Sequence, residues 1–295
     1  MIMRGYLGGF LLTCWLAVGV WGAEAPPALE EAPADAWPSF RGGPAMHGRS
    51  ATRLAPKLKL AWRANLGLPL VATAAIADGG VYIGGPDGKL HALKLKDGGK
   101  LWELNLGGAF EAAPLILDDL LIIGNTNGKL HALERATGKL RWEAETEGKI
   151  IGGANFVRQE GDKPTLILVG SYDNQLHCFQ ASDGKAVWTY ATENYLNGAP
   201  ARHGTQVVVG GCDGQLHVLN WADGEVEQKL AAGAYVAGTP ALFDGVAYFG
   251  HYGGKVLAMD IKKGQPAWTY SDRNFPYFSS PALAADRLVI GCRDK

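Results

Sequence analysis

The sequence predicts an all-β protein, a β-propeller built from four-stranded antiparallel blades. Three observations carry that prediction. Glycine fills 41 of the 295 positions, about twice its usual share of ~7% in a composition that is otherwise globular. Tryptophan recurs at Trp62, Trp102, Trp142, Trp188 and Trp268, in steps of 40, 40, 46 and 80, with Gln228 in the skipped place. Turn dipeptides recur with them: Asp87-Gly88, Asn127-Gly128, Asp173-Asn174, Asp213-Gly214 and Gly253-Gly254. A repeat of about 40 residues holding several short strands is the signature of a propeller blade.

From the N-terminus, Arg4 precedes an apolar stretch from Gly5 to Gly22. One positive residue before a short apolar core reads as a secretory signal peptide over residues 1–25, with an uncleaved anchor as the rival. Thr13 is a poor residue before a lipidated Cys14, so no lipid anchor is expected. Residues 26–36 are Pro, Ala and acid, a linker unable to bury a face. Residues 37–57 form a lead-in, WPSFRGGP and onward, and the propeller occupies 58–295.

Each unit reads as four strands. In the second, Ala112 to Leu117 turns at Asp118-Asp119 into the apolar Leu120 to Gly124. Asn127-Gly128 makes a tight turn into Lys129 to Glu134, and Thr137-Gly138 a second turn into Leu140 to Glu145. Two-residue hairpins need positive φ, which Asn, Asp and Gly tolerate best. Six extra residues in the third unit fall around Glu160 to Pro164, where a longer hairpin absorbs them.

The copies HALERATGKLRW, HCFQASDGKAVW and LAMDIKKGQPAW resemble the tryptophan-docking repeat of the pyrroloquinoline quinone (PQQ)-like propeller family, within the quinoprotein alcohol dehydrogenase-like superfamily. The resemblance implies that Trp62, Trp102, Trp142, Trp188 and Trp268 dock on neighbouring blades. The lead-in resembles the segment that opens many secreted bacterial members. The propeller component of the outer-membrane β-barrel assembly machinery is similar in kind.

Counting strands gives six fourth strands, six first hairpins and only five third strands. Lys59 to Leu66 is therefore expected to be a fourth strand that completes the last blade. About six blades are present, the last incomplete. The chain is expected to be C-terminally truncated, part of a seven- or eight-bladed ring.

Chemistry is harder to place. Lys plus Arg number 28 against 29 Asp plus Glu, so no nucleic-acid partner is indicated. His91, His131, His177 and His217 sit one per blade. Sheets about 10 Å apart cannot share a metal at ~2 Å ligand distance. Neither a vicinal Cys pair nor a calcium ligand set is apparent, so no catalytic residue, metal or cofactor is expected. An aromatic recurs four or five residues before the first-strand Pro, as Phe110, Tyr195, Tyr235 and Tyr277, with Asn197 and Phe275 in the same loops. These residues are candidates for an interaction face around the channel mouth, with packing as the competing reading. The expected protein is an exported scaffold of the periplasm or cell exterior. It binds a protein or peptide, is monomeric at full length and has no membrane span once the signal is removed. A second reading stays open: a PQQ- and calcium-dependent dehydrogenase of alcohols or sugars whose cofactor residues lie elsewhere.

Overall fold

A computed structural model describes residues 35–272, 274–284 and 287–293. The signal and most of the linker lie outside the described residues. Five complete blades follow one another as simple meanders. The first holds β1 (Ala75–Ala77), β2 (Gly80–Gly84), β3 (Lys89–Lys94) and β4 (Lys100–Asn105). The second holds β5 (Leu115–Leu117), β6 (Leu120–Gly124), β7 (Lys129–Glu134) and β8 (Leu140–Glu145). The third holds β9 (Asn155–Val157), β10 (Leu166–Gly170), β11 (Gln175–Gln180) and β12 (Ala186–Ala191). The fourth holds β13 (Ala201–His203), β14 (Gln206–Gly210), β15 (Gln215–Asn220) and β16 (Val226–Ala231). The fifth holds β17 (Ala241–Phe243), β18 (Val246–His251), β19 (Lys255–Asp260) and β20 (Gln265–Tyr270). The sixth unit contributes the hairpin β21 (Ala282–Ala284) and β22 (Arg287–Val289).

The core lies between blades. One apolar cluster joins Leu115, Ile122 and Trp142 of the second blade to Ile167, Val169 and Phe179 of the third. Equivalent clusters join the first blade to the second and the third to the fourth. Both faces of β6 and β10 are therefore covered, which explains runs such as Leu121-Ile122-Ile123.

The expected strand at Lys59 to Leu66 does not form: this segment is irregular and mostly exposed. A strand needs a neighbour to take its N–H and C=O groups, and among the described residues the sixth unit offers no third strand to pair with it. First strands are also shorter than the sequence implied, with β5 beginning at Leu115 rather than Ala112.

The lead-in has a role that the sequence did not show. In each inner strand the middle residue turns its N–H away from the blade and toward the channel. Residues 37–48 thread that channel and accept these N–H groups one after another. Ile76 N donates to Trp37 O (2.9 Å), Ile116 N to Pro38 O (2.7 Å), Arg202 N to Pro44 O (2.8 Å), Leu242 N to Ala45 O (2.9 Å) and Leu283 N to His47 O (2.8 Å). The third blade is served differently. Phe156 N donates to the Oδ1 of Asn155, and Asn155 Nδ2 donates to Pro44 O, both at 2.8 Å. The lead-in is thus a hub, and it satisfies donors that an open sheet edge would leave bare. A short 3-10 turn at Phe40–Gly42 bends it across the channel.

Candidate functional site

Blade junctions come first, because they fix everything on the surface. Trp62, Trp102, Trp142 and Trp188 each donate their indole N–H to a backbone carbonyl of the following blade: Leu95, Arg135, Ala181 and Trp221, at 2.7, 3.0, 2.8 and 3.0 Å. Beneath each ring lies a turn glycine: Gly98, Gly138, Gly184 and Gly224, with φ between +72° and +76°. A Cβ on any of them would come within 3.0 Å of the indole. These glycines are needed both for their backbone and for the space they leave. Opposite three of the four tryptophans, across the strand pair, stand the small residues Ala92, Ala132 and Cys178, each followed by a bulge. Trp62 has no such partner because its segment is not a strand. Gln228 stands where the fifth tryptophan would be, and Gly264 there meets only Leu230 at 3.5 Å and Gln228 at 3.7 Å. Trp268, on the exposed strand β20, is 43% exposed and packs on Tyr248 with ring centres 6.1 Å apart.

The six interaction-face candidates do not form one ring. Phe110 and Tyr277 are buried, at 0% and 7% exposure, beneath Gly84 and Gly250. Ile150, Leu196 and Val236 fill the same place beneath Gly124, Gly170 and Gly210. Tyr195 and Tyr235 sit one residue earlier in their loops and stand 47% and 53% exposed. That single step turns the side chain from the blade junction to the solvent. Tyr195 stacks on Tyr172 with centroids 4.7 Å apart and planes at 7°. Tyr235 lies against Tyr252 at 6.3 Å, and Tyr252 meets Phe278 edge-on at 5.3 Å. The Arg293 guanidinium lies over the Phe278 ring, 5.5 Å from its centre. The exposed aromatic face therefore consists of Tyr195, Tyr235, Tyr252 and Phe278, backed by the half-buried Tyr172, with Phe275 also exposed at 40%. Tyr172, Tyr252 and Phe278 were missed because they fall outside the Pro-anchored spacing.

Between these loops the channel opens into a cup of about 150 Å³. All six units contribute to its wall, at the equivalent positions Thr73, Ala113, Gly153, Ala199, Thr239 and Ser280 and at residues beside them. Phe40 of the hub forms the floor, and a Cβ on Gly153 would stand 2.9 Å from it. Hydroxyls stitch the wall: Ala199 N donates to Thr239 Oγ1 at 2.7 Å, and Thr239 N to Ser280 Oγ at 3.0 Å. Asn197 also lines the cup and donates from Nδ2 to the Cys212 sulfur at 2.9 Å, while its Oδ1 is buried without a partner.

The repeated histidines pair with carboxylates of their own blades, and His217 also places Nδ1 3.0 Å from the Tyr190 hydroxyl of the preceding blade. His177 and His217 place Nε2 2.8 Å from Oδ2 of Asp173 and Asp213, four residues earlier. His91 and His131 instead place Nδ1 3.3 and 3.0 Å from Glu103 and Glu143 on the fourth strand. Burial pulls the imidazoles of His131 and His217 below the ordinary value, with Glu143 and Asp213 opposing. No group of three or more His, Cys, Asp or Glu side chains that could hold a metal occurs among the described residues. Cys178 and Cys212 are free thiols, and burial pushes Cys178 up to about 12. No helix among the described residues is long and apolar enough to cross a membrane.

This fold, with indoles docked on turn glycines and inner strands bonded to a central strip, defines a PQQ-like β-propeller. Residues 51–162 and 159–273 match the family model described as outer membrane protein assembly factor BamB. The chain belongs to that family. Among solved structures it is similar to BamB from Moraxella catarrhalis, at 20% identity and a TM-score of 0.66 over 79% of this chain and 71% of that one. It is also similar to the computationally designed Ika8 protein, at 16% identity and a TM-score of 0.64 over 76% and 68% of the two chains. No curated protein matches the sequence.

Proposed function

We propose that the protein is a non-enzymatic scaffold of the bacterial envelope that holds a protein partner on its aromatic channel mouth, in the service of outer-membrane protein assembly. The observation that carries this reading is the exposed set Tyr195, Tyr235, Tyr252 and Phe278, with the half-buried Tyr172 stacked behind Tyr195, held on loops that the blades position. Tyrosine and phenylalanine supply large contact area at low entropic cost and are favoured where proteins bind each other. Family membership supports the partner class.

The residues at the channel do not fit a quinone cofactor. The cup measures about 150 Å³ and is floored by Phe40, whereas pockets for comparable ligands run to about 300–1,000 Å³. Its wall carries no arginine, lysine or histidine to meet a quinone's carboxylates.

The test is capture of the outer-membrane β-barrel assembly machinery from detergent-solubilised envelopes. The parent protein should retain it. Tyr195→Ala with Tyr235→Ala should lose it at an unchanged melting temperature, because both rings are about half exposed. Saturable binding of PQQ and calcium, with turnover of an alcohol or sugar, would overturn the reading.

A further inference from the structure

The net charge of -1 hides a local asymmetry. Between Ala36 and Ala77 the sequence holds six Lys and Arg and no Asp or Glu. Four of the six, Arg53, Lys57, Lys59 and Arg63, lie in the irregular strip that precedes the first blade, and all four are exposed. None of them makes an ion pair or a side-chain hydrogen bond among the described residues. The same strip carries Leu54, Leu58 and Leu60. At 75, 71 and 75% exposure they are the most exposed large apolar side chains among the described residues. Single leucines scattered over a surface are ordinary, but a run of them interleaved with cations marks a site of contact.

The strip is pinned at one point. Trp62 donates its indole N–H to Leu95 O at 2.7 Å. Between Arg53 and Leu66 the other hydrogen bond among the described residues is local, from Gly67 N to Asn65 Oδ1. The pin sets the strip against the turn between β3 and β4, where Lys94 and Lys96 flank Leu95 and are exposed as well. The acids of this neighbourhood are engaged. Asp97 Oδ1 accepts Gly99 N at 2.9 Å, and Asp78, beside the Gly79 that receives Leu95 N, pairs with Arg135. Cations from two distant stretches of sequence therefore gather on the outer part of the first blade, with leucines among them.

The kind of occupant follows from what the strip lacks. A folded acidic partner would have to meet cations at set positions, and nothing sets these: their side chains are unbonded, and the main chain around them is held through one indole. A fluid anionic surface demands no set positions. It attracts each Lys or Arg separately, each adding about fivefold in affinity. The alternation Lys57-Leu58-Lys59-Leu60 places an apolar side chain beside every charge. Leucine then enters the boundary between headgroups and acyl chains, while lysine stems lie along it and keep their ammonium groups at the phosphates. Exposure that is costly in water becomes burial in lipid.

We propose that residues 53–63, with Lys94 and Lys96 beside them, form a docking surface for an anionic lipid bilayer. The cations meet headgroup phosphates and the three leucines insert at the interface. The chain lies on the bilayer here and does not cross it. This surface is separate from the aromatic channel mouth and goes beyond the scaffold reading.

The experiment is hydrogen exchange of the full chain on vesicles of phosphatidylcholine alone and on vesicles containing phosphatidylglycerol. The measurement is local to residues 53–66, so the apolar stretch from Gly5 to Gly22 does not enter it. Exchange there should slow severalfold on the anionic vesicles and stay fast on the neutral ones, and the slowing should vanish in about 0.5 M NaCl. Lys57→Gln with Lys59→Gln should abolish it, and Leu58→Ser with Leu60→Ser should reduce it severalfold. Both pairs should keep the parent melting temperature, because these side chains are exposed and have no partner to lose. Equal exchange on the two vesicle types, or slowing that survives either double variant, would overturn the surface. Slowing by a soluble glutamate-rich peptide, with none on anionic vesicles, would overturn it in favour of an acidic protein segment.

Discussion

Trp142 donates its indole N–H to the carbonyl oxygen of Ala181, 2.8 Å away, across the junction of the second and third blades. The ring is 8% exposed and lies over Gly184, whose added Cβ would stand 2.5 Å from it. Trp142→Ala should cost about 3–5 kcal/mol, as large-to-small changes at buried aromatics do. Trp268→Ala should cost far less, because that ring is 43% exposed. Urea unfolding midpoints of the two variants would show the difference; equal losses would mean that the tryptophans act within blades rather than between them.

The weak junction offers the opposite experiment. Gln228 occupies the tryptophan position and leaves Gly264 in ordinary contact with its neighbours. Gln228→Trp should raise stability by about 1 kcal/mol through aromatic burial, and it should make Gly264→Ala costly where it was mild. A double-mutant cycle on positions 228 and 264 measures that coupling. A coupling near zero would show that the indole does not reach the turn.

Asn155 is the one side chain that stands in for a hub contact. Asn155→Ala strips the Phe156 N–H of its acceptor and Pro44 O of a donor, and should cost about 2 kcal/mol or more. Asn155→Asp keeps the acceptor and loses the donor, so it should fall between the two. Chemical denaturation gives the order, and a neutral Asn155→Ala would contradict it.

Acid should loosen the blades before the carboxylates titrate. His131, His217 and His251 all have imidazole pKa values lowered in the folded state, burial being the largest cause in each. The unfolded chain therefore binds protons that the folded chain resists. Stability is complete above the ordinary histidine value of about 6.5 and falls as pH drops through it. The melting temperature should decline from pH 7.5 to 5.5, and His217→Asn should flatten that decline while starting lower. An unchanged slope in the variant would remove His217 from the cause.

The blade pattern was legible because turns and docking impose residue type at fixed intervals: Gly138 can be nothing else beneath Trp102, and Ala132 must be small opposite Trp142. The hub was not legible, since its bonds run through main-chain carbonyls of Trp37, Pro38, Pro44, Ala45 and His47, which leave no mark on side-chain choice. The aromatic loops were half legible. Four residues before the Pro points Phe110 and Tyr277 inward; five points Tyr195 and Tyr235 outward, and pooling the two spacings merged a packing set with a surface set. The lone Lys59 to Leu66 segment was read as a strand from Trp62, although docking needs only the indole.

The hub also bears on how such a ring can change over generations. A repeat gained by gene duplication arrives with its own turns, its own tryptophan and its own channel-facing N–H. It brings no carbonyl to receive that N–H, because the acceptors are strung along one short strip encoded once, upstream of every repeat. Growth of the ring therefore demands either a longer strip or a substitute such as Asn155 that answers its own strand. The third blade, the one lengthened by a six-residue insertion, is where that substitute is found.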